Sequence, residues 1–207
     1  SDLKRKVRHN LYAKKLVKSI YRPFTKTNLY FAAALNQRQY LNKQLFGNDG
    51  ALENLIITAS GSGKNFSLLI SNVISDLNLH SGGAQCFPIY IYEENTEEGK
   101  DSDLFNQTEI NTVDKKYTRK DGVSDEGLKH FQDAYPTEMI SKEDIFYYVY
   151  GLLHSEDYRT RYADNLTKDL PRIPCVKKTE DFWIFSKAGR DLAHWHLNYE
   201  TVEPYKA

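Results

Sequence analysis

Cysteine and methionine are scarce in this chain of 207 residues: Cys86, Cys175 and Met139 are all it has. Two cysteines so far apart make neither a disulfide framework nor a metal-ligand spacing, and a reduced, cytoplasmic setting fits that usage. No run approaches the roughly 18 consecutive apolar residues that a membrane span needs. The basic, polar start carries no apolar stretch of the kind a signal peptide has. The local signatures of a self-sufficient catalyst are missing too, since G-x-S-x-G, H-E-x-x-H and G-x-G-x-x-G are all absent. There is no Asn-Pro-Pro-Tyr-type tetrapeptide either. His194 and His196 stand two apart, which on a helix turns their rings away from any common metal. Carboxylates crowd residues 93–103 without the apolar framing that separates pKa values, so a solvated acidic loop fits better than a catalytic pair. The chain also begins Ser1-Asp2, without methionine. An excised domain or a processed tag is the expected reason.

What the chain does have is aromatic mass and a lopsided charge. At 40% hydrophobic and 13% aromatic residues it can build a sizeable core for one domain. The formal net charge is zero. Yet residues 1–46 hold eleven Lys or Arg against the single acid Asp2, leaving minus ten on the remainder. Such a basic end suits either phosphates or an acidic neighbouring domain.

The spacing of Leu3, Val7, Leu11, Leu16, Val17 and Ile20 predicts a basic amphipathic helix over residues 3–18. Pro23 biases Arg22 away from helix, so residues 20–24 and 29–31 read as extended pieces. A short helix over 37–46 follows, ended by the turn Gly47-Asn48-Asp49-Gly50. Runs rich in β-branched and aromatic residues over 54–59, 66–70 and 85–92 read as strands, the first two joined as a hairpin. Residues 93–129 read as a long insertion or partly ordered loop. In the last third, Ser141 and Asp144 form a capping-box-like start to a helix buried through Ile145, Val149, Leu152 and Leu153. A second helix follows Ser155 and carries Tyr158 and Tyr162. Pro171 and Pro174 enforce an extended stretch, and Phe182, Phe185, Gly189 and Leu192 mark a final core helix. The expected class is α+β, with a central mixed or antiparallel sheet and helices at the N-terminus and in the C-terminal third.

Two loops carry candidate nucleic-acid chemistry. Gly61-Ser62-Gly63-Lys64 fails as a nucleotide-binding loop, because Thr58 stands where its first glycine belongs and Asn65 where its hydroxyl belongs. A glycine-rich turn bearing Ser62, Lys64 and Asn65 could instead enter a DNA groove, where Asn pairs with adenine and Lys with guanine. On local sequence alone a plain hairpin turn is the favoured reading. Lys115, Lys116, Arg119 and Lys120, interleaved with Tyr117, offer sequence-independent phosphate affinity, or a solvated loop.

From Tyr21-Arg22-Pro23-Phe24 onward, with Tyr30, the sequence resembles the C-terminal target-recognition domain of bacterial type ISP restriction–modification enzymes and their helicase-named relatives. Further blocks keep the family's order. They are Phe87-Pro88-Ile89-Tyr90-Ile91-Tyr92, the stretch from Tyr147 through His154-Ser155 to Tyr158-Arg159 and Tyr162, then Pro171-Arg172-Ile173-Pro174, Phe182-Trp183 and the final helix. Thr25 and Thr27 depart from the family's Asp and Arg.

The resemblance implies a parent chain that fuses a nuclease, an ATP-driven translocase and an N6-adenine methyltransferase to this domain. ATP, magnesium and S-adenosylmethionine would bind that parent, and no cofactor is expected in the fragment itself. It further implies double-stranded DNA as partner, with base edges read in the major groove and the upstream domains as neighbours. Residues 1–19 would be a helical arm and 20–207 the recognition domain. Arg22, Arg159 and Arg172 become candidates for phosphate contacts, though a structural ion pair would explain each. A coupling domain that reads no bases is the competing function.

Overall fold

The computed structural model describes residues 10–36, 39–61, 63, 65–81, 83–95, 112–113 and 116–203. The class is α+β. Among the described residues the strands form three small sheets of three strands each, in place of one central sheet. In the first, β1 (Leu16–Arg22) and β2 (Thr25–Tyr30) make a hairpin around Pro23 and Phe24, and β5 (Ile74–Ser75) adds in parallel to β1. In the second, β3 (Ile56–Ser60) lies between β4 (Leu68–Ser71) and β6 (Ala84–Pro88), antiparallel to both. Every residue of β3 and β4 is buried, the polar Thr58, Ser60 and Ser71 included. In the third, β7 (Tyr90–Glu94) pairs with β9 (Tyr117–Asp121), which also pairs with β8 (Thr112–Val113).

Three expectations change. The helix over 3–18 does not form at its far end, because Leu16, Val17 and Lys18 pair with Tyr30, Leu29 and Asn28 in β1–β2. Residues 3–9 lie outside the described residues, and β1 runs straight through the expected boundary at 19–20. The single strand over 85–92 is two strands, broken at Ile89, where the chain leaves β3 and takes β9 as its partner. Gly122 permits the change, since a side chain there would overlap the Pro88 carbonyl. The long loop over 93–129 contains β9 and the start of α2 (Asp125–Ala134), a helix capped by Ser124. The short helix expected over 37–46 is α1 (Asn42–Phe46), stopped by Gly47 at φ 76°. Buried Asn54 fastens it to the third sheet by donating to the carbonyls of Leu45 and Tyr90, both at 2.8 Å.

The C-terminal third is helical, as its spacing predicts: α3 (Lys142–His154), α4 (Glu156–Arg161), α5 (Ala163–Leu166) and α6 (Thr179–Leu197). Ser141 and Asp144 form a complete capping box on α3. Helices α3 and α6 cross at Gly151 and Gly189. A side chain at Gly189 would overlap the Tyr147 carbonyl, and one at Gly151 the Phe185 carbonyl. Ser186 Oγ donates to Asp144 O (3.0 Å) on one side of the crossing. On the other, Tyr150 Oη bonds His196 Nδ1 (2.6 Å).

Around the crossing Phe131, Tyr135, Tyr148 and Phe182 stack into one aromatic group, Tyr148 and Phe182 at 4.8 Å between ring centres. Three buried tyrosines then reach outward to the proline-flanked stretch. Tyr158 Oη donates to Arg172 O (2.7 Å), Tyr148 Oη to Pro174 O (2.6 Å) and Tyr135 Oη to Val176 O (2.7 Å). Alternate carbonyls of an extended strap are thereby satisfied by hydroxyls where a neighbouring strand would otherwise serve. Burial pushes the Tyr135 hydroxyl up to about 12 and raises those of Tyr148 and Tyr158, so all three remain protonated donors at neutral pH.

Two substitutions test this core. Gly189→Ala gains up to about 1 kcal/mol of helix propensity yet forces backbone against backbone. It is expected to destabilise the fold by about 2 kcal/mol or more, lowering Tm by roughly 4–8 °C in thermal unfolding. Tyr148→Phe removes the donor to the Pro174 carbonyl, which water can reach, and is expected to cost about 0.5–1.5 kcal/mol in denaturant unfolding. A value near zero for it would mean the strap is held by packing alone.

Candidate nucleic-acid interface

The β3–β4 hairpin ends in residues 60–67, and its base is closed by one side chain. Ser60 Oγ donates to Asn65 O (3.0 Å) and accepts from Ser67 N (3.0 Å), while Ser60 N donates to Ser67 O (2.8 Å). Gly63 turns the chain at φ 77°, a conformation L side chains rarely adopt. Two backbone bonds then tie this loop to segments far away in sequence. Gly61 N donates to Gly83 O (3.1 Å), and Gly63 N to Thr167 O (2.6 Å) just after α5. Phe66 makes a third tie, with the Arg159 guanidinium 5.7 Å from its ring centre.

Beneath the loop lies His80, only 4% exposed. Its Nε2 is 3.0 Å from Thr58 Oγ1 and 3.2 Å from Thr58 O, and its Nδ1 is 3.2 Å from Ser67 Oγ. Thr58 spends its hydroxyl hydrogen on Leu69 O (2.7 Å). Nε2 must therefore carry the proton, and in the neutral ring, which burial favours, Nδ1 accepts from Ser67. The neutral ring bolts one end of the loop to the buried strand β3.

The candidate residues fall into separate groups. Ser62, Lys64 and Lys115 lie outside the described residues. Asn65 is exposed at the loop, and its carboxamide makes no hydrogen bond among the described residues. Arg159 joins it there through Phe66, but its Nε donates to Leu153 O (2.7 Å), so it also holds the end of α3. Arg172 has an anchored carbonyl and an exposed side chain that pairs with no carboxylate among the described residues.

Arg22 has a structural engagement. It stacks on Tyr21 at 4.1 Å, donates to Asn78 O (3.1 Å) and lies 3.6 Å from Asp76, fixing the turn that leads to His80.

Lys116, Arg119 and Lys120 sit apart from the loop. Ser60 pairs with Ala84 while Ile56 pairs with Pro88, so β7 and β9 begin from the end of β6 remote from the hairpin loop. There the expected acidic and basic runs face each other across two strands. Lys120 pairs with Glu93 (2.7 Å), Lys116 with Glu94 (3.5 Å), and Arg119 covers the Tyr90 ring at 4.2 Å. Asn48, which donates to Glu94, holds that carboxyl below its ordinary range, and Lys116 adds to the effect. Among the described residues two cations of the basic run, Lys116 and Lys120, are paired with carboxylates of the acidic one.

The exposed residues of α4, α5 and the turn after them carry no motif by which a sequence reading would single them out. The bond from Gly63 N to Thr167 O that brings the turn after α5 to the loop joins backbone to backbone and leaves no side-chain signature.

These features define an α+β scaffold whose rigid end presents a closed hairpin loop beside two other loops. The chain belongs to the type ISP C-terminal specificity domain family, matching it over residues 1–207. Solved structures similar to it include the DrdV–DNA complex (34% identity, TM-score 0.79, 99% of this chain and 18% of that one). Another is LlaBIII, an ATP-dependent type ISP restriction–modification enzyme bound to DNA (33%, 0.76, 98% and 12%). A third is a nuclease-deletion mutant of the type ISP enzyme LlaGI with a DNA substrate mimic (33%, 0.70, 98% and 15%). The chain thus spans less than a fifth of the length of each. Among curated protein sequences, none matches significantly.

The histidines give this site a pH signature. Burial, the largest cause in each case, holds His80, His154 and His196 below the ordinary imidazole range, and the Arg159 guanidinium and His196 help bring His154 to about 4. The unfolded chain takes up these protons near pH 6.5, and the folded one resists them. Their contribution to stability is full above about pH 6.5 and is lost as pH falls through the lowered values of the folded state, about 4 for His154. Tm is expected to decline between pH 7 and pH 5; a flat Tm over that range would mean the rings are protonated in the fold.

Proposed function

We propose that this domain recognises a specific sequence in double-stranded DNA on behalf of a single-chain, ATP-dependent restriction–modification protein with N6-adenine methyltransferase activity. The observation that carries the reading is likeness along the whole chain to three structures solved on DNA or a DNA mimic. Membership of a specificity-domain family supports it. ATP, magnesium and S-adenosylmethionine belong, on this reading, to the translocase and methyltransferase domains of the same polypeptide, and this domain directs their chemistry to a site.

The loop over 61–66 is the reading element. A major groove about 12 Å wide admits a two-stranded ribbon, and the β3–β4 hairpin is such a ribbon, closed at its base by Ser60 and tied to neighbouring segments at Gly61 and Gly63. Asn65 offers a carboxamide suited to adenine and Lys64 an ammonium suited to guanine. Ser62 can donate or accept beside them. Arg172 and Arg159 supply cations toward phosphates, Arg172 with the freer side chain. Lys115, Lys116, Arg119 and Lys120 are candidates for a secondary phosphate surface, weakened where Lys116 and Lys120 pair with Glu94 and Glu93, and Arg22 acts through the turn it holds.

The test is site selection from a randomised duplex library at fixed salt, using the full-length protein that carries the domain. Lys64→Ala with Asn65→Ala is expected to relax the preference at one or two base pairs, each worth about 1–3 kcal/mol. Arg119→Ala with Lys120→Ala is expected to leave the preferred site unchanged and to lower affinity modestly for all sequences. Wild-type protein that selects no site would favour a coupling domain that reads no bases.

A further inference from the structure

We infer that the reading surface is composite, and that Asn165 determines specificity beside the hairpin loop while Lys168 anchors phosphate. The inference rests on the recognition reading above, because it names further residues of the same interface. Its starting point is the 2.6 Å bond from Gly63 N to Thr167 O. Two backbones joined in that way run roughly 5 Å apart, so the end of α5 and the turn after it lie beside the apex of the hairpin.

That segment is as rigid as the loop. Leu166, 5% exposed, roots it in the main core. Leu166 N donates to Tyr162 O (2.9 Å), Lys168 N and Asp169 N both donate to Asn165 O (2.9 Å each), and Thr167 Oγ1 donates to Asp164 O (2.8 Å). The Arg159–Phe66 contact and the Gly61–Gly83 bond lock the same three segments from other sides. The backbone polar groups of the turn are thus largely used internally, while its side chains are not. Asn165 and Lys168 are exposed, and neither side chain has a hydrogen bond or ion pair among the described residues.

An unengaged carboxamide on a fixed backbone next to a groove-entering loop has the equipment for bidentate pairing with adenine. An unpaired ammonium on the following turn has the equipment for a phosphate. Pre-organisation is what makes the pair useful, since little further ordering of the backbone is needed on binding.

The test is the same randomised-library selection on the full-length protein, with three variants and wild type. Asn165→Ala is expected to flatten the preference at one base pair by about 5- to 150-fold, leaving the other positions intact. Asn165→Asp keeps the shape but only accepts hydrogen bonds, and is expected to move the preference at that pair toward cytosine. Lys168→Ala is expected to weaken binding to all sequences alike and to reduce the salt slope by about 0.9. If the loop variants alter the site and Asn165→Ala and Asn165→Asp select the wild-type site unchanged, the inference fails while the recognition reading stands. A uniform loss for Asn165→Ala overturns its role as a base reader. Wild type with no preferred site overturns both.

Discussion

The fold hangs on the place where α3 and α6 cross with no side chain between them. Gly151 and Gly189 let each helix press against carbonyls of the other, and a single methyl on either would force them apart. That approach sets the depth at which Tyr148 and Tyr150 leave α3. Tyr150 then reaches the amide of Ile70 in β4 (3.1 Å) and His196 in α6, coupling the helices to the hairpin strands. Tyr148, with Tyr135 and Tyr158, holds the strap that carries Arg172. A loop that must present side chains to a partner at fixed register needs such a base, because ordering it at the moment of binding would reduce affinity.

Charge is organised by pairing more than by excess. The acidic run at Glu93 and Glu94 and the basic residues Lys116 and Lys120 are cross-strand neighbours, and Arg190 binds Glu143 and Asp144 at the capped start of α3. Exposed pairs of this kind contribute little stability, but they decide which cations remain free for a partner. Lys168 and Arg172 pair with no carboxylate among the described residues, and Lys168 follows Thr167, whose carbonyl is bonded to the hairpin loop at Gly63. The zero net charge of the chain therefore says little about where phosphates would be met.

The parts of the fold legible in the sequence were those with local chemistry. Ser141 and Asp144 announce the start of α3 because a capping box closes within three residues. Buried runs in β3 and β4 around a glycine-bearing turn announce a hairpin. Helical spacing announces α6, and prolines announce the extended strap. In the same way, blocks of aromatics and prolines in a fixed order are enough to mark the family. The amphipathic spacing before Ile20 misled, because Val17 and Leu29 find a common apolar cluster as strand neighbours, and that burial outweighs a weak helical pattern. The polar stretch over 117–121 misled for the converse reason: β7 supplies a partner strand and carboxylates that a local reading does not contain.

The sequence by itself determined the class of domain, the hairpin, the helices of the last third and the candidacy of Asn65, since each depends on residues within one turn or one strand of each other. Only the tertiary structure decided which candidates share a surface. The bond between Gly63 and Thr167 joins segments remote in the chain and uses backbone atoms that every residue possesses, so no residue type records it. The pairing of Lys120 with Glu93 likewise follows from strand register and not from composition. Function at this interface depends on which side chains are left without partners, and partners are assigned by the fold.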